Sequence, residues 1–192
     1  VDIPADWATA EDHKEAEHLE GPAKLVTMVQ DIMEPVAKMD GDSLPVSAFV
    51  AHADGTFEQG ASAYEKRGVA VMVPEWDETK CIQCNRCSYV CPHATIRPFA
   101  LTEEEVAAAP EGLQVAKMTG KGLEALKFTM AVSPMDCMGC GVCVGECPAK
   151  EKAIKMVPRE SQEYKQPVFD YLVANVGKKE GMPAKETVKG SQ

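Results

Sequence analysis

Apolar residues recur at helical spacing in one stretch of the first third of the chain. Spacings of three and four residues place such positions on one face of a helix. We therefore predict one amphipathic helix that ends near Gly41 and is open to a kink at Pro35. Residues 12–20 are helix-compatible but too short and too charged to be stable alone, and residues 43–64 predict irregular chain with one short strand. The helical positions are Leu25, Val26, Val29, Ile32, Met33 and Val36.

The remainder of the chain alternates short β-branched runs with two cysteine-rich segments. Thr102 and Glu105 form a capping-box pattern, which predicts a short helix that ends by Ala109. Strand, cysteine run, short helix and strand occur twice, so two small repeats are expected to pack around a shared centre. The predicted strands cover residues 69–73, 96–99, 127–132 and 153–157, and a further short helix covers 168–173.

The distribution of charged residues divides the chain near Arg67. Residues 1–66 carry 4 Lys and Arg against 14 Asp and Glu, whereas residues 67–192 carry 16 of each class. We predict an acidic, largely irregular or helical segment at 1–66, a domain at 67–158 with an insertion at 100–127, and an extended tail at 159–192. The absence of a basic stripe argues against nucleic-acid binding.

Other general features place the chain in a cellular context. The sequence has no apolar run long enough for a membrane span and no signal-peptide pattern, so we expect a cytoplasmic protein without membrane association. It starts at Val1 without an initiator Met and ends at Gln192 without a terminating signal. We therefore expect a piece of a longer protein.

The eight cysteines form two identical runs. Each run has the spacing Cys-x2-Cys-x2-Cys-x3-Cys-Pro, and the second lies 56 residues after the first. This is the ligand spacing of bacterial two-cluster ferredoxins, in which the fourth cysteine of each run binds the other cluster. The runs are Cys81, Cys84, Cys87 and Cys91, followed by Cys137, Cys140, Cys143 and Cys147.

This spacing predicts an α+β fold: a duplicated bacterial-type 2[4Fe-4S] ferredoxin-like domain. Three thiolates two residues apart can surround one side of a cluster, whereas the proline after the fourth favours extended chain that leaves the loop. We predict that the first cluster is bound by Cys81, Cys84, Cys87 and Cys147. The second is then bound by Cys137, Cys140, Cys143 and Cys91.

Two other uses of eight cysteines compete with this interpretation. Four disulfides would suit an oxidising compartment, whereas a cytosolic context and the Cys-x2-Cys-x2-Cys spacing favour metal ligation over disulfides. A pair of structural zinc sites presenting an interaction surface is the more serious alternative, although zinc ribbons usually use two separated Cys-x2-Cys pairs. A colourless protein that contains zinc would favour that second alternative.

Residues around the cysteines indicate how the clusters are held. Gly139 and Gly141 permit backbone N–H groups to approach sulfur, whereas the first run has Gln83 and Asn85 there, so a difference in potential is expected. His93 is expected to be a surface residue, and Trp76 and Tyr89 to be packing residues. The expected apolar wrapper comprises Ile82, Val90, Ile96, Met138, Val142 and Ile154.

The chain also resembles a particular enzyme family outside the cysteine runs. Residues 44–49, 54–57, 64–70 and 73–76, which include the triplet Glu65-Lys66-Arg67, are similar to the segment before the ferredoxin domain of pyruvate:ferredoxin (or flavodoxin) oxidoreductases. Residues 81–87, 132–137 and 187–192 are similar to the same family. The resemblance extends from about residue 22 to the end of the chain.

The resemblance implies a role as an electron relay within a larger, homodimeric enzyme that oxidises pyruvate with coenzyme A. Thiamine diphosphate, Mg and a third cluster would belong to the remaining domains of that parent, and external ferredoxin or flavodoxin would accept the electrons. This chain alone would have no catalytic residue. A free-standing ferredoxin-like carrier or separate subunit is the alternative. Lys150, Lys152, Lys155 and Arg159 form the candidate docking patch for an acidic acceptor.

Overall fold

The structure, a computed structural model, describes residues 19–180 and 182. Most of the predicted helix-compatible stretch at 12–20 lies outside these residues. The chain forms two compact units, Val1–Glu65 and Lys66–Gln192. No helix in the described part is long and apolar enough to cross a membrane.

The first unit contains the predicted amphipathic helix in three consecutive pieces. Helix α1 (Ala23–Met28) continues through a π-helical stretch, Val29–Met33, into α2 (Glu34–Ala37). Pro35 has no N–H for the carbonyl four residues earlier, and its ring crowds that carbonyl, which gives a physical reason for the wider turn just before it. The buried face consists of Leu25, Met28, Val29 and Ile32.

The prediction of a strand between residues 43 and 64 is wrong. This segment instead forms three short 3-10 helices: Gly41–Ser43, Val46–His52 and Ala61–Tyr64. Glycine and proline interrupt the short apolar runs of this segment, and among the described residues of the first unit no strand is present with which they could pair.

The second unit contains two small antiparallel sheets. In chain order its elements are β1 (Met72–Trp76), α3 (Arg86–Tyr89), β2 (Ile96–Leu101), α4 (Glu103–Ala108), β3 (Ala116–Lys117), β4 (Lys127–Val132), α5 (Val142–Glu146), β5 (Ile154–Pro158) and α6 (Gln166–Asn175). Strand β1 pairs with β5 in one sheet, and the other sheet has the order β2-β4-β3.

Each cysteine run lies between two of these strands. The first run connects β1 to β2 and contributes α3, and the second connects β4 to β5 and contributes α5. Among the described residues β1 pairs with β5, and β2 pairs with β4, so residues from both runs share one core. That core comprises Trp76, Cys87, Ile96, Phe128, Met130, Cys143 and Ile154.

A second core lies beneath α6. Leu101 and Leu172 are fully buried there, and Phe169 packs with them. The capping box predicted at the start of α4 is present: the Glu105 N–H donates to Thr102 Oγ1 at 3.2 Å, and the Thr102 N–H donates to Glu105 Oε2 at 2.8 Å. These two elements anchor the insertion that separates the cysteine runs.

Candidate metal centre

The first cysteine loop depends on two residues with left-handed backbone. Gln83 has φ +56° and Asn85 has φ +59°, which is uncommon for residues other than glycine. The Gln83 N–H donates to Cys81 Sγ at 3.4 Å, and α3 begins after Asn85. The loop therefore folds back toward its own first cysteine before the helix carries Cys87 into the core.

The second loop repeats this backbone with glycines. Gly139 has φ +68° and Gly141 has φ +73°, and the Gly139 N–H donates to Cys137 Sγ at 3.4 Å. Gly139 and Gly141 stand 56 residues after Gln83 and Asn85. The expectation that the glycines would set the second loop apart is therefore wrong for this contact, because both loops make it.

Cys91 of the first run lies with the second run. It lines one cavity together with Cys137, Cys140 and Cys143. Thr95 fixes its position, since the Thr95 N–H and the Thr95 hydroxyl both lie 3.4 Å from Cys91 Sγ. One thiol from the first run and three from the second thus line one space.

Cys147 of the second run lies near the first cysteine of the first run. It is buried with Ala149 and Ala153, and Cys81 packs against this group. Lys152 Nζ donates to the carbonyl oxygens of Gly145 at 3.0 Å and Cys147 at 2.7 Å, so the backbone that presents this thiol is held in place.

Burial differs among the thiols. Cys87, Cys137, Cys143 and Cys147 are buried, whereas Cys84 and Cys140 are exposed. Burial raises the pKa of Cys87 to about 12 and that of Cys143 to about 11, and neighbouring thiols add to both shifts. Metal ligation needs thiolates, so a bound metal must displace protons from these sites.

Two other cysteines show opposing pKa shifts. Burial also raises the pKa of Cys137, although the Gly139 N–H opposes it. Burial acts in the same direction on Cys91, but hydrogen bonds from Thr95 and nearby backbone groups outweigh it and hold the pKa of that thiol below its ordinary value.

The donor set fits iron–sulfur ligation, in which four cysteine thiolates hold each [4Fe-4S] cluster. All eight cysteines are free thiols, Cys91 shares a cavity with three cysteines of the second run, and Cys147 packs with Cys81 of the first. Among residues 19–180 and 182, no three His, Cys, Asp or Glu side chains gather closely enough to hold one metal ion.

The expected apolar wrapper is only partly present. Ile96 and Ile154 are buried and Val90 is half-buried, whereas Ile82, Met138 and Val142 are about half exposed, at 58%, 54% and 45%. Trp76 is buried and meets Phe128 edge-on. The expectation that Tyr89 is a packing residue is wrong, because this residue is 69% exposed. His93 is exposed, as expected.

Sequence reasoning missed a side-chain clamp on the first loop. Gln83 Nε2 donates to the Lys117 carbonyl at 2.7 Å, and Gln83 Oε1 accepts from the Thr119 N–H at 2.9 Å and the Thr119 hydroxyl at 3.0 Å. The insertion is thereby tied to the loop between Cys81 and Cys84. The sequence offered one signal of this clamp: Gln83 stands where the second run has Gly139.

The predicted basic docking patch is largely engaged within the chain. Lys155 pairs with Glu75 at 2.8 Å, and Arg159 pairs with Glu160 and Glu163. Lys152 binds the two backbone carbonyls near Cys147. Three of the four predicted cationic side chains therefore have acidic or carbonyl partners of their own.

Two family models match the chain. One, named EKR and described as a domain of unknown function, covers residues 13–70. The other, described as a 4Fe-4S dicluster domain, covers residues 80–151 and includes all eight cysteines. The chain thus carries a domain for two [4Fe-4S] clusters.

Curated relatives match the chain along its whole length. It is 45% identical over 192 residues to the pyruvate-flavodoxin oxidoreductases of Enterobacter agglomerans and Klebsiella pneumoniae. It is 43% identical over 198 aligned residues to the pyruvate:ferredoxin oxidoreductase of Moorella thermoacetica. The chain spans about 16% of the length of each of these relatives. The resemblance indicated by the motifs is confirmed.

Proposed function

We propose that this chain relays electrons through two [4Fe-4S] clusters, since it corresponds to one segment of the pyruvate-flavodoxin and pyruvate:ferredoxin oxidoreductases. The relay would run from a thiamine diphosphate site and a third cluster in other domains to an external ferredoxin or flavodoxin. Each cluster, when bound, supplies a centre that takes up and returns one electron. The chain itself would contribute ligands and surroundings and no substrate chemistry.

The observation that carries the proposal is the convergence of Cys91 with the second run. Cys91, Cys137, Cys140 and Cys143 line one cavity, although 45 residues separate Cys91 from Cys137. The contact of Cys147 with Cys81 supports the reciprocal set. We therefore assign Cys81, Cys84, Cys87 and Cys147 to one cluster, and Cys137, Cys140, Cys143 and Cys91 to the other.

This arrangement gives the protein residues defined tasks. Buried Cys87 and Cys143 belong to the shared core, so the two clusters would lie on either side of common packing in a duplicated ferredoxin-like fold. Exposed Cys84 and Cys140 lie where electrons would enter or leave. The Gln83 and Gly139 N–H groups donate toward sulfur, a contact that stabilises the added negative charge of a reduced cluster.

Four single variants, compared in two pairs, test the ligand assignment. After anaerobic reconstitution we expect about eight irons per chain and two reducible signals in electron paramagnetic resonance. Cys91→Ser should alter the same signal as Cys140→Ser, and Cys147→Ser the same signal as Cys84→Ser. If Cys91→Ser and Cys84→Ser alter one signal in common, the crossed assignment is wrong.

The cluster proposal itself has a simpler test. A reconstituted chain that is colourless, binds zinc and shows no reducible signal would support the zinc alternative instead. A chain with both clusters should accept electrons from dithionite and pass them to flavodoxin. Supplied with pyruvate, coenzyme A and thiamine diphosphate, it should form no acetyl-CoA, because the substrate sites would lie in other domains.

A further inference from the structure

Lys66, the middle residue of the Glu65-Lys66-Arg67 triplet, lies between two carboxylates. Its Nζ is 3.2 Å from Asp136 Oδ2 and 3.2 Å from Asp170 Oδ1. Asp136 immediately precedes Cys137, and Asp170 belongs to α6. One ammonium group therefore joins the approach to the second cysteine run to the helix that follows β5.

The Asp136 carboxylate is held by a second donor. The hydroxyl of Ser133, whose side chain is fully buried, donates to Asp136 Oδ2 at 2.6 Å. The orientation of the Asp136 carboxylate is thus fixed from inside the fold by Ser133 and from the surface by Lys66. A carboxylate with two such partners has little freedom to turn into solvent.

The buried amide of Gln166 completes this network. Gln166 Oε1 accepts from the Met135 N–H at 3.2 Å, and Gln166 Nε2 donates to Asp170 Oδ1 at 2.9 Å. The Gly68 N–H donates to the Met135 carbonyl at 2.9 Å, so the chain just after Lys66 is bound to the same turn. The turn formed by residues 133–136 is tied on both sides.

The exposure of the side chains indicates that these ion pairs act through their charge on neighbouring groups more than through folding stability. The three charged side chains are between 32% and 49% exposed. Pairs this exposed contribute little to folding stability, because solvent screens them. Their charge still acts on what lies beside them, and Asp136 is covalently adjacent to a predicted ligand of the second cluster.

We propose that Lys66 is a positioning residue for the cluster bound by the second cysteine run. It fixes the turn that presents Cys137, and it compensates the negative charge of Asp136 next to that ligand. The proposal rests on the proposed function, since it presupposes a cluster at this run. It gives a role to one residue within a family model described as a domain of unknown function.

The electrostatic consequence has a definite sign. Reduction adds one negative charge to a cluster, and a neighbouring uncompensated carboxylate opposes that addition. Removing the Lys66 ammonium leaves two carboxylates without this cation. The reduction potential of the second cluster should then become more negative, while the first cluster should keep its potential.

The test compares Lys66→Met with Lys66→Arg and with the double variant Lys66→Met, Asp136→Asn. Redox titration followed by paramagnetic resonance measures both potentials, and Cys140→Ser identifies the signal of the second cluster. We expect a negative shift of that signal alone in Lys66→Met, none in Lys66→Arg, and partial recovery in the double variant. Hydrogen exchange at the Met135 amide should rise in Lys66→Met and in the double variant, because both lack the Lys66 ammonium, and should not rise in Lys66→Arg.

Several outcomes would overturn this role for Lys66. Unchanged potentials in Lys66→Met would do so, as would equal shifts of both signals. Loss of the second cluster in Lys66→Met without recovery in the double variant would show that charge compensation is not what Lys66 supplies. A wild-type chain that binds no cluster would instead overturn the proposed function, so the two failures are distinguishable.

Discussion

The two cysteine loops follow the same backbone course but are supported differently. In the first, Gln83 takes up the left-handed conformation and uses its side chain to hold residues 117–119. In the second, Gly139 takes up that conformation beneath the chain leading into β1, where no side chain would fit. Equivalent positions thus have different residues because one faces a polar partner and the other faces close backbone.

The surroundings of Gly139 explain the difference. A Cβ atom built there would lie 2.9 Å from the Met72 carbonyl oxygen and 3.2 Å from the Ala70 Cβ. A Cβ on Gly141 would meet nothing within 4 Å. Gly139 is therefore required for both conformation and space, whereas Gly141 is required for conformation alone.

The largest effect is expected from Gly139→Ala. Left-handed strain and the clash with Met72 together should destabilise the chain by about 2–4 kcal/mol. Gly141→Ala, the matched control, should cost about 1–2 kcal/mol, because only the strain applies. Urea unfolding of the iron-loaded chain, followed by circular dichroism and visible absorbance, measures both. Equal losses would show that close approach to β1 does not distinguish these glycines.

A smaller effect is expected when the clamp of the first loop is removed. Gln83→Ala keeps the left-handed strain but loses the hydrogen bonds to residues 117–119, at a cost of about 1–2 kcal/mol. Gln83→Gly loses the same bonds and relieves the strain, so it should lose less stability. Hydrogen exchange at the Thr119 amide should accelerate in both variants. Unchanged exchange would mean that the clamp does not hold the insertion.

The smallest effect concerns the far end of the insertion, at the capping box of α4. Burial alone would raise the pKa of Glu105, but the Lys179 ammonium and the Thr102 N–H outweigh it and hold the pKa below its ordinary value. A depressed carboxyl pKa stabilises the fold above the unfolded pKa, and this stability is lost as pH falls through the folded value.

Glu105→Gln tests this contribution. It should cost about 1 kcal/mol at neutral pH, and the difference from wild type should narrow as the pH falls below about 4.3, the ordinary Glu value. Unfolding midpoints between pH 7 and pH 3 give the comparison. A difference that does not change with pH would contradict the role of the Glu105 charge, and Glu104→Gln, with no such contact described, serves as control.

The sequence predicted elements well where a local chemical pattern defines them. β4 has the predicted bounds of residues 127–132, and Thr102 and Glu105 form the expected capping box. It predicted β1 three residues too early, at 69–73, because Pro74 follows that β-branched run and a proline commonly ends a strand. In the part of the chain that the structure describes, β1 has β5 as its one strand partner, so the missing N–H of Pro74 is tolerated on its other edge.

Elements that depend on distant partners were harder to predict. The clamp of Gln83 on Thr119 and the contact of Lys66 with Asp136 and Asp170 join residues separated by 36 to 104 positions. Polar residues of these types are usually solvated, and no local pattern distinguishes the few that find such partners. The exposed Ile82, Met138 and Val142 show the converse, since apolar character alone did not determine burial.

By itself, the sequence determined the chemistry of this protein: eight thiols in two runs whose spacing is set by the geometry of a cluster, and a family resemblance carried by motifs outside them. The tertiary structure decided what those motifs contact. The pairing of β1 with β5 and β2 with β4 brings Cys91 to the second run and Cys147 to the first. The physical reason is that ligand spacing is a local property of the chain, whereas the neighbours of Gln83, Gly139 and Lys66 depend on packing between distant segments.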